Sequence, residues 1–161
     1  MIGLGTAVVI AGILALTLVL VPENTSPAYD TATTFMNAAG AGDDATAFAL
    51  LSPEMQTYVT ENCPEGSVSA CIDDYTPAEW GDLLSAVYRR SVPEGSTRWH
   101  VQLVATYEEG QGFAGVCIYH RMDEIAPDDW RVSAWSGFIS CDDPGGRLNP
   151  LRAEDAPNRA P

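Results

Sequence analysis

The fold is decided by residues 96–141, which read STRWHVQLVATYEEGQGFAGVCIYHRMDEIAPDDWRVSAWSGFISC. Polar and apolar residues alternate along three runs, which are separated by the segments EEGQG and IAPDD. Alternation with a period of two is typical of half-buried strands, and Gly, Pro and Asp between such runs favour hairpin turns. The segment therefore predicts three antiparallel strands.

The register of these strands follows from the turns and the cysteines. A two-residue turn at Gly110-Gln111 places most apolar side chains of the first two strands on one face. That face collects Trp99, Val101, Leu103, Ala105, Ala114, Val116, Ile118, His120 and Met122. Pairing Cys117 with Cys141 adds Trp130, Val132, Ala134 and Phe138. The second face would carry His100, Gln102, Tyr119, Arg121, Arg131, Trp135 and Ile139. We expect the first face to form the core.

Residues 26–62 predict helices upstream of the strands. Ser26 is suited to cap the first helix, and Pro27 to occupy its first turn. Apolar residues then recur at helical spacing along one stripe: Ala28, Ala32, Phe35, Met36 and Ala39. Asp43 or Asp44 is suited to cap a second helix. Ser52 is suited to cap a further turn or helix that begins at Pro53.

A last helix is predicted over TPAEWGDLLSAVYRR, residues 76–90. Thr76 and Glu79 have the spacing of a capping box, and a proline follows Thr76 directly. The expected buried face of this helix consists of Trp80, Leu83, Leu84 and Val87.

Residues 1–21 carry no charged side chain. As a helix they would span the roughly 30 Å core of a bilayer. A signal peptide is the main alternative, but no basic residue precedes the apolar run, and the best cleavage candidate, Ser26-Pro27-Ala28, contains a proline. A core helix would show more of a polar face. We expect a retained transmembrane anchor.

The anchor contains three glycines, Gly3, Gly5 and Gly12. Because they have no side chain, they would allow another membrane helix to pack closely against the anchor. The alternative is that these glycines have no packing role and are simply compatible with a membrane-spanning helix.

Four cysteines without a CxxC motif or neighbouring histidines favour disulfides over a zinc site. The expected pairs are Cys63 with Cys71 and Cys117 with Cys141, and isolated thiols are the alternative. Disulfides form in oxidising compartments, so we expect the N-terminus in the cytoplasm and the domain on the outer face of the cell membrane.

The chain has 22 acidic and eight basic residues and a formal net charge of −14. Nucleic acid is excluded as a partner because no basic stripe is present to neutralise phosphates. The acidic pairs lie at turns and lack the alternating ligand spacing of a calcium loop, so no metal or cofactor is expected. Residues 145–161 are rich in Pro, Gly and Arg and predict an extended tail.

The segment TATTFMNAAGAGDDATAFALLSPEM, residues 31–55, resembles the nuclear-transport-factor-2-like (cystatin-like cone) superfamily. The shared pattern is a helix, a glycine–aspartate turn, a second helix and then LLSPE. The resemblance covers residues 28–141 and implies an α+β fold in which helices pack on a curved antiparallel sheet. The expected organisation is an anchor (1–21), a linker (22–27), the cone domain (28–144) and the tail.

Enzymes of that superfamily, such as ketosteroid isomerase, place acid–base residues inside the cone. Of the expected first face only His120 is titratable, so the catalytic positions do not carry over. An isomerase- or dehydratase-like site would need His120 together with an acid such as Asp30 or Asp82.

The expected function is therefore that of an interaction module, a small accessory subunit of a larger membrane protein complex. The anchor and tail would contact the complex and the bilayer, and the docking face would consist of Tyr119, Trp135 and Ile139. The first alternative is a binder of small apolar ligands, with a cavity lined by Trp99, Ile118, His120, Met122, Trp130 and Phe138. An enzyme is the second alternative.

Overall fold

A computed structural model describes residues 26–74, 76–139 and 158–159. The described chain is an α+β fold in which a group of short helices precedes a four-stranded antiparallel sheet. The predicted anchor and most of the predicted tail lie outside these residues. In the described part no helix is long and apolar enough to cross a membrane.

The helices are α1 (Pro27–Gly40), α2 (Asp44–Ala49), α3 (Pro53–Asn62) and α4 (Val68–Asp73). The first three begin as the sequence predicts. The side chains of Ser26, Asp43 and Ser52 each accept a hydrogen bond from a backbone N–H in the first turn. These contacts satisfy donors that a helix start otherwise leaves unpaired. The sequence did not predict α4.

The predicted last helix is wrong. The chain forms only a 3₁₀ turn at Ala78–Trp80 and then enters strand β1, Leu83–Glu94. Gly81 ends the turn with a φ of 69°, a conformation outside the α-helical region. Leu84 and Val87 were expected in the core, but they are 57% and 51% exposed. Backbone pairing of β1 with its neighbouring strand therefore determines the structure of this segment, although its apolar residues have the spacing of a helix.

The remaining strands are β2 (Arg98–Tyr107), β3 (Val116–Ala126) and β4 (Asp129–Ile139), so the sheet order is β1-β2-β3-β4. A short segment, Asn158–Arg159, lies parallel to β4. Strands β2 and β3 are joined by an eight-residue segment that contains a helical turn, α5 (Gly110–Phe113), rather than by the predicted two-residue turn.

The predicted β2–β3 register is confirmed. Trp99 pairs with Met122, Val101 with His120, and Leu103 with Ile118. Each of these pairs lies on the predicted first face of the sheet, which is covered by α1. The register survives the change of turn because pairing ends at Ala105 and Val116, before the connection begins.

The predicted β3–β4 register is wrong: Cys117 pairs with Ile139 and not with Cys141, and β4 is irregular. Met122 pairs with Val132 but His120 pairs with Trp135, so β4 uses one extra residue between the two pairs. Such a bulge moves the side chains that follow it to the other face, until a second irregularity between Ser136 and Ile139 restores the alternation. Trp135 therefore faces α1, while Ala134, expected in the core, pairs with Arg121 on the second face.

The core lies between α1 and the first face of the sheet. All five residues of the predicted α1 stripe are buried: Ala28, Ala32, Phe35, Met36 and Ala39. The ring of Phe35 packs against Trp135 and His120, with ring centroids 5.4 Å and 5.8 Å away. These ring contacts pack α1 directly against β3 and β4.

Candidate functional site: an acidic cleft and an exposed sheet edge

A cleft of about 290 Å³ opens where the C-terminal end of α1 meets α4 and the start of β1. Its lining combines apolar and polar side chains: Met36, Ala39, Ile72, Leu83, Asp73, Thr76, Asp82 and Tyr107. Concave sites that mix apolar walls with a few polar groups are typical of ligand-binding pockets.

Two glycines shape the cleft. A Cβ atom on Gly40 would lie 2.3 Å from Cδ2 of Leu83, so the absence of a side chain allows the end of α1 to approach β1. Gly81 has a φ of +69°, and a Cβ atom there would lie 2.6 Å from Oε2 of Glu108. That backbone conformation turns the chain between Trp80 and β1 and places Asp82 on the cleft wall.

The cleft is negatively charged. The pKa of the Asp73 carboxyl is raised, first because its surroundings partly exclude water and then because Asp82 and Asp44 add negative charge. No arginine or histidine of the described chain forms a salt bridge with Asp73 or Asp82. The two carboxylates therefore lack a neutralising partner within the described domain.

Tyr107 forms the inner wall of the cleft and is only 3% exposed. Burial raises the pKa of its phenol, although a hydrogen bond with Thr76 acts in the opposite direction. The charge of Asp73 raises this pKa further. The phenol is therefore protonated at neutral pH. The lining contains no histidine or cysteine, and the described residues hold no group of three or more His, Cys, Asp or Glu suited to a metal ion.

The expected cavity residues lie mainly in the core. Ile118, His120 and Met122 are at most 3% exposed, and Trp130 is 8% exposed. Trp99 packs against the same core while partly buried. The side chain of Phe138 lies outside the described structure. Since the rings of Phe35 and Trp135 pack beside His120, this region consists of closely packed side chains, and its role as a ligand cavity stays a prediction.

His120 is fully buried, and neither of its ring nitrogens has a hydrogen-bond partner. Burial in this apolar environment lowers the pKa of the imidazole to about 3. The ring is therefore neutral at physiological pH. The acids suggested for an enzyme do not join it: Asp82 lines the separate cleft, and Asp30 lies in the first turn of α1.

Two residues of the expected docking face lie on opposite faces of the sheet. Trp135 packs against Phe35 and is 0% exposed, whereas Tyr119 lies on the second face and is 1% exposed. Ile139 pairs with Cys117 at the end of β4, and its side chain lies outside the described structure. The docking role of these residues remains a prediction.

A hydrogen-bonded network on the second face was missed by the sequence reasoning. His100 bonds through Nδ1 to the hydroxyl of Tyr119 and through Nε2 to Glu94, at 2.8 Å. Arg98 donates two hydrogen bonds to the carboxylate of Asp123, at 2.6 Å and 3.1 Å. The alternating polar residues on β2 and β3 could have indicated this network. Its member Glu94, however, lies on β1, a segment for which no strand was predicted.

Exposed apolar side chains concentrate on the edge strand β1. Among the described residues six large apolar side chains are prominently exposed, and four of them belong to this strand: Leu84, Val87, Tyr88 and Val92. The C-terminal half of the edge is protected against pairing. The N–H of Ser91 donates to the hydroxyl of Tyr88, and Pro93 has no N–H. In the N-terminal half the pairing with β2 is interrupted by a bulge at Leu84, while the side chains of Leu84 and Val87 stay exposed.

The predicted disulfide between Cys63 and Cys71 is present and joins the end of α3 to α4. Cys117 is also disulfide-bonded, while its predicted partner Cys141 lies outside the described residues. Comparison with known proteins gives no relative: no protein-family model, curated protein or solved structure matches the chain.

Proposed function

We propose that this chain is a membrane-anchored interaction module, an accessory subunit that contacts a larger membrane protein complex on the outer face of the membrane. In this proposal residues 1–21 form the anchor, and the domain belongs to the cone type that its sequence resembles. The observation that carries the proposal is the concentration of exposed apolar side chains on β1.

The exposure of β1 favours contact with another protein. Leu84 and Val87 are each more than half exposed, and they lie in the N-terminal half of an edge strand of the described sheet. Isolated exposed apolar residues are ordinary, but a group of them at one sheet edge is typical of an interaction surface. Packing of a partner's apolar side chains against these exposed residues would hold the partner.

A different protein is favoured over a second copy of this chain. Each copy carries a formal net charge of −14, so two copies would repel each other at close range. The disulfide Cys63–Cys71 supports an oxidising compartment, which agrees with a domain on the outer face. The expected anchor would hold β1 near other membrane proteins.

Photo-crosslinking in the source cell's membranes tests this proposal. A photoreactive residue at Val87 is expected to give one adduct with an integral membrane protein, and co-expression with that identified protein should reproduce it. Leu84→Ser should reduce the adduct several-fold. The matched control is a photoreactive residue at Glu61, which is exposed on α3. An absent adduct, or the same adducts from both positions, would contradict the proposal.

A further inference from the structure

We infer that residues 142–157 of this chain dock on the second face of the sheet, opposite α1, and cover it over β3 and β4. The contact lies within one chain and away from β1, so the inference does not rest on the proposed interaction role. Three observations support it: the burial of this face, the disulfide of Cys117, and the position of Asn158–Arg159.

The middle of the second face is buried outside the helical core. Cys117 and Ala134 are 0% exposed and Tyr119 is 1% exposed. None of the three belongs to the cluster of buried side chains that the helices form with the first face. The ring of His100 stacks on Tyr119 with the ring centroids 5.7 Å apart, but one ring shields only one side of another. A further layer of chain therefore covers these side chains.

The covering layer ends before β1. Val87 and Val92 also lie on the second face, but they are 51% and 42% exposed. Burial of this face thus increases from the β1 edge towards β4, the strand that residues 140–157 follow directly. A layer that reaches the sheet from the side of β4 has this distribution.

The disulfide of Cys117 places the start of the segment on this face. Cys117 lies on the second face of β3 and is disulfide-bonded. The bridge Cys63–Cys71 uses two of the four cysteines of the chain, so Cys141 is the remaining partner. Since the Cβ atoms of a disulfide lie about 4 Å apart, the chain turns from the end of β4 onto the second face.

The other end of the segment is placed by Asn158–Arg159, which lies along β4 next to Trp135 and Ser136. The residues between these two positions can extend over about 50 Å, whereas β2 and β4 are separated by only about 10 Å. The segment is therefore long enough to cross the face and return. Residues 1–25 contain no cysteine and cannot share the first of these constraints.

The composition of the segment suits this surface. Leu148 and Leu151 supply apolar side chains that can be buried on Ala134 and the ring of Tyr119. A proline separates the two leucines and disfavours a helix, so backbone N–H and C=O groups stay available to buried polar side chains such as Gln102. The segment carries four acidic and two basic residues, and the second face presents two arginines, at positions 90 and 121.

Photo-crosslinking within the full chain, purified in a nonionic detergent, tests the inference. A photoreactive residue at Leu148 or Leu151 is expected to form an adduct within one chain, in peptides that contain Gln102, Tyr119 or Ala134. The matched control is a photoreactive residue at Glu61, exposed on α3, which should not label these peptides. Adducts only with α1–α4, only with residues 1–25 or only between two chains would overturn the inference, and so would the absence of an adduct.

Acetylation of tyrosine by N-acetylimidazole provides the second arm. Tyr119 and Tyr107 lie on opposite faces of the sheet and are 1% and 3% exposed, so both should react slowly in the wild type. Replacing Leu148 and Leu151 together by aspartate should accelerate the reaction of Tyr119 about fivefold and leave Tyr107 unaltered. Ala160→Asp adds a carboxylate beyond the segment and should change neither rate.

An unaltered rate for Tyr119 in the double variant would refute the inference. Equal acceleration of both tyrosines would report unfolding of the domain rather than loss of its cover, and the crosslinks then decide.

Discussion

Replacing the buried His120 with leucine is expected to stabilise the protein, which is unusual for a core substitution. The imidazole is 0% exposed, and both of its ring nitrogens lack a partner. An unsatisfied buried polar group costs about 1–3 kcal/mol, and leucine fills a similar volume without such a group. His120→Leu should therefore raise the free energy of unfolding by about 1–3 kcal/mol at neutral pH.

The stability gain should grow as the pH falls. The pKa of His120 is about 3 in the folded protein and 6.5 in an unfolded chain, so below 6.5 the unfolded state takes up a proton that the folded state excludes. The wild type thus loses about 1.4 kcal/mol per pH unit in the window between these two pKa values. At about pH 5 this loss reaches roughly 2 kcal/mol, and the leucine variant avoids it.

Urea unfolding followed by tryptophan fluorescence, at about pH 7.5 and about pH 5, measures both effects. The difference between variant and wild type should widen by about 2 kcal/mol at the lower pH. The matched control is His100→Leu, which removes the other histidine of the chain and leaves Tyr119 and Glu94 without its hydrogen bonds. That variant should be destabilised. A His120→Leu variant whose advantage does not widen would refute the unpartnered, neutral state of the ring.

Two further changes test the turn and the disulfide by thermal or urea unfolding. Gly81→Ala should destabilise the protein by about 2 kcal/mol, because its φ is +69° and the new Cβ would lie 2.6 Å from Oε2 of Glu108. Gly95→Ala, with a φ of +72° but open space around it, should cost only about 1 kcal/mol, so equal losses would contradict the contact. Replacing both Cys63 and Cys71 by serine should cost about 2.5 kcal/mol for a sequence separation of 8, and an unchanged stability would show that the bridge does not constrain the unfolded chain.

Local signals in the sequence predicted the helix starts and the central hairpin. Ser26, Asp43 and Ser52 cap their helices because a short polar side chain directly before a helix bonds its free N–H groups. The pairing of β2 with β3 follows from alternation on two neighbouring strands, since a shift by one residue would move the apolar side chains into water. In both cases the decisive interactions join residues that are close in sequence or regularly spaced.

The sequence-based predictions were wrong where contacts between residues far apart in the chain determine the structure. Leu84 and Val87 have helical spacing relative to Trp80, but β2 offers a full row of backbone partners that converts this segment into a strand. The alternation of polar and apolar residues along β4 does not indicate its bulge, and this bulge places Trp135 in the core. The acidic cleft was missed because Asp73, Asp82 and Tyr107 come from three separate segments.

The sequence by itself determined the α+β class, the helix caps, the central hairpin register and the pairing of Cys63 with Cys71. These features depend on local hydrogen bonds, on hydrophobic periodicity or on short loops, all of which can be recognised from residues close together in the sequence. Only the tertiary structure decided that β1 is an exposed edge strand, that His120 lies without a partner, and that two carboxylates share one cleft. Those features arise where segments far apart in sequence meet. The spacing of residues within one segment does not indicate which other segment it will contact.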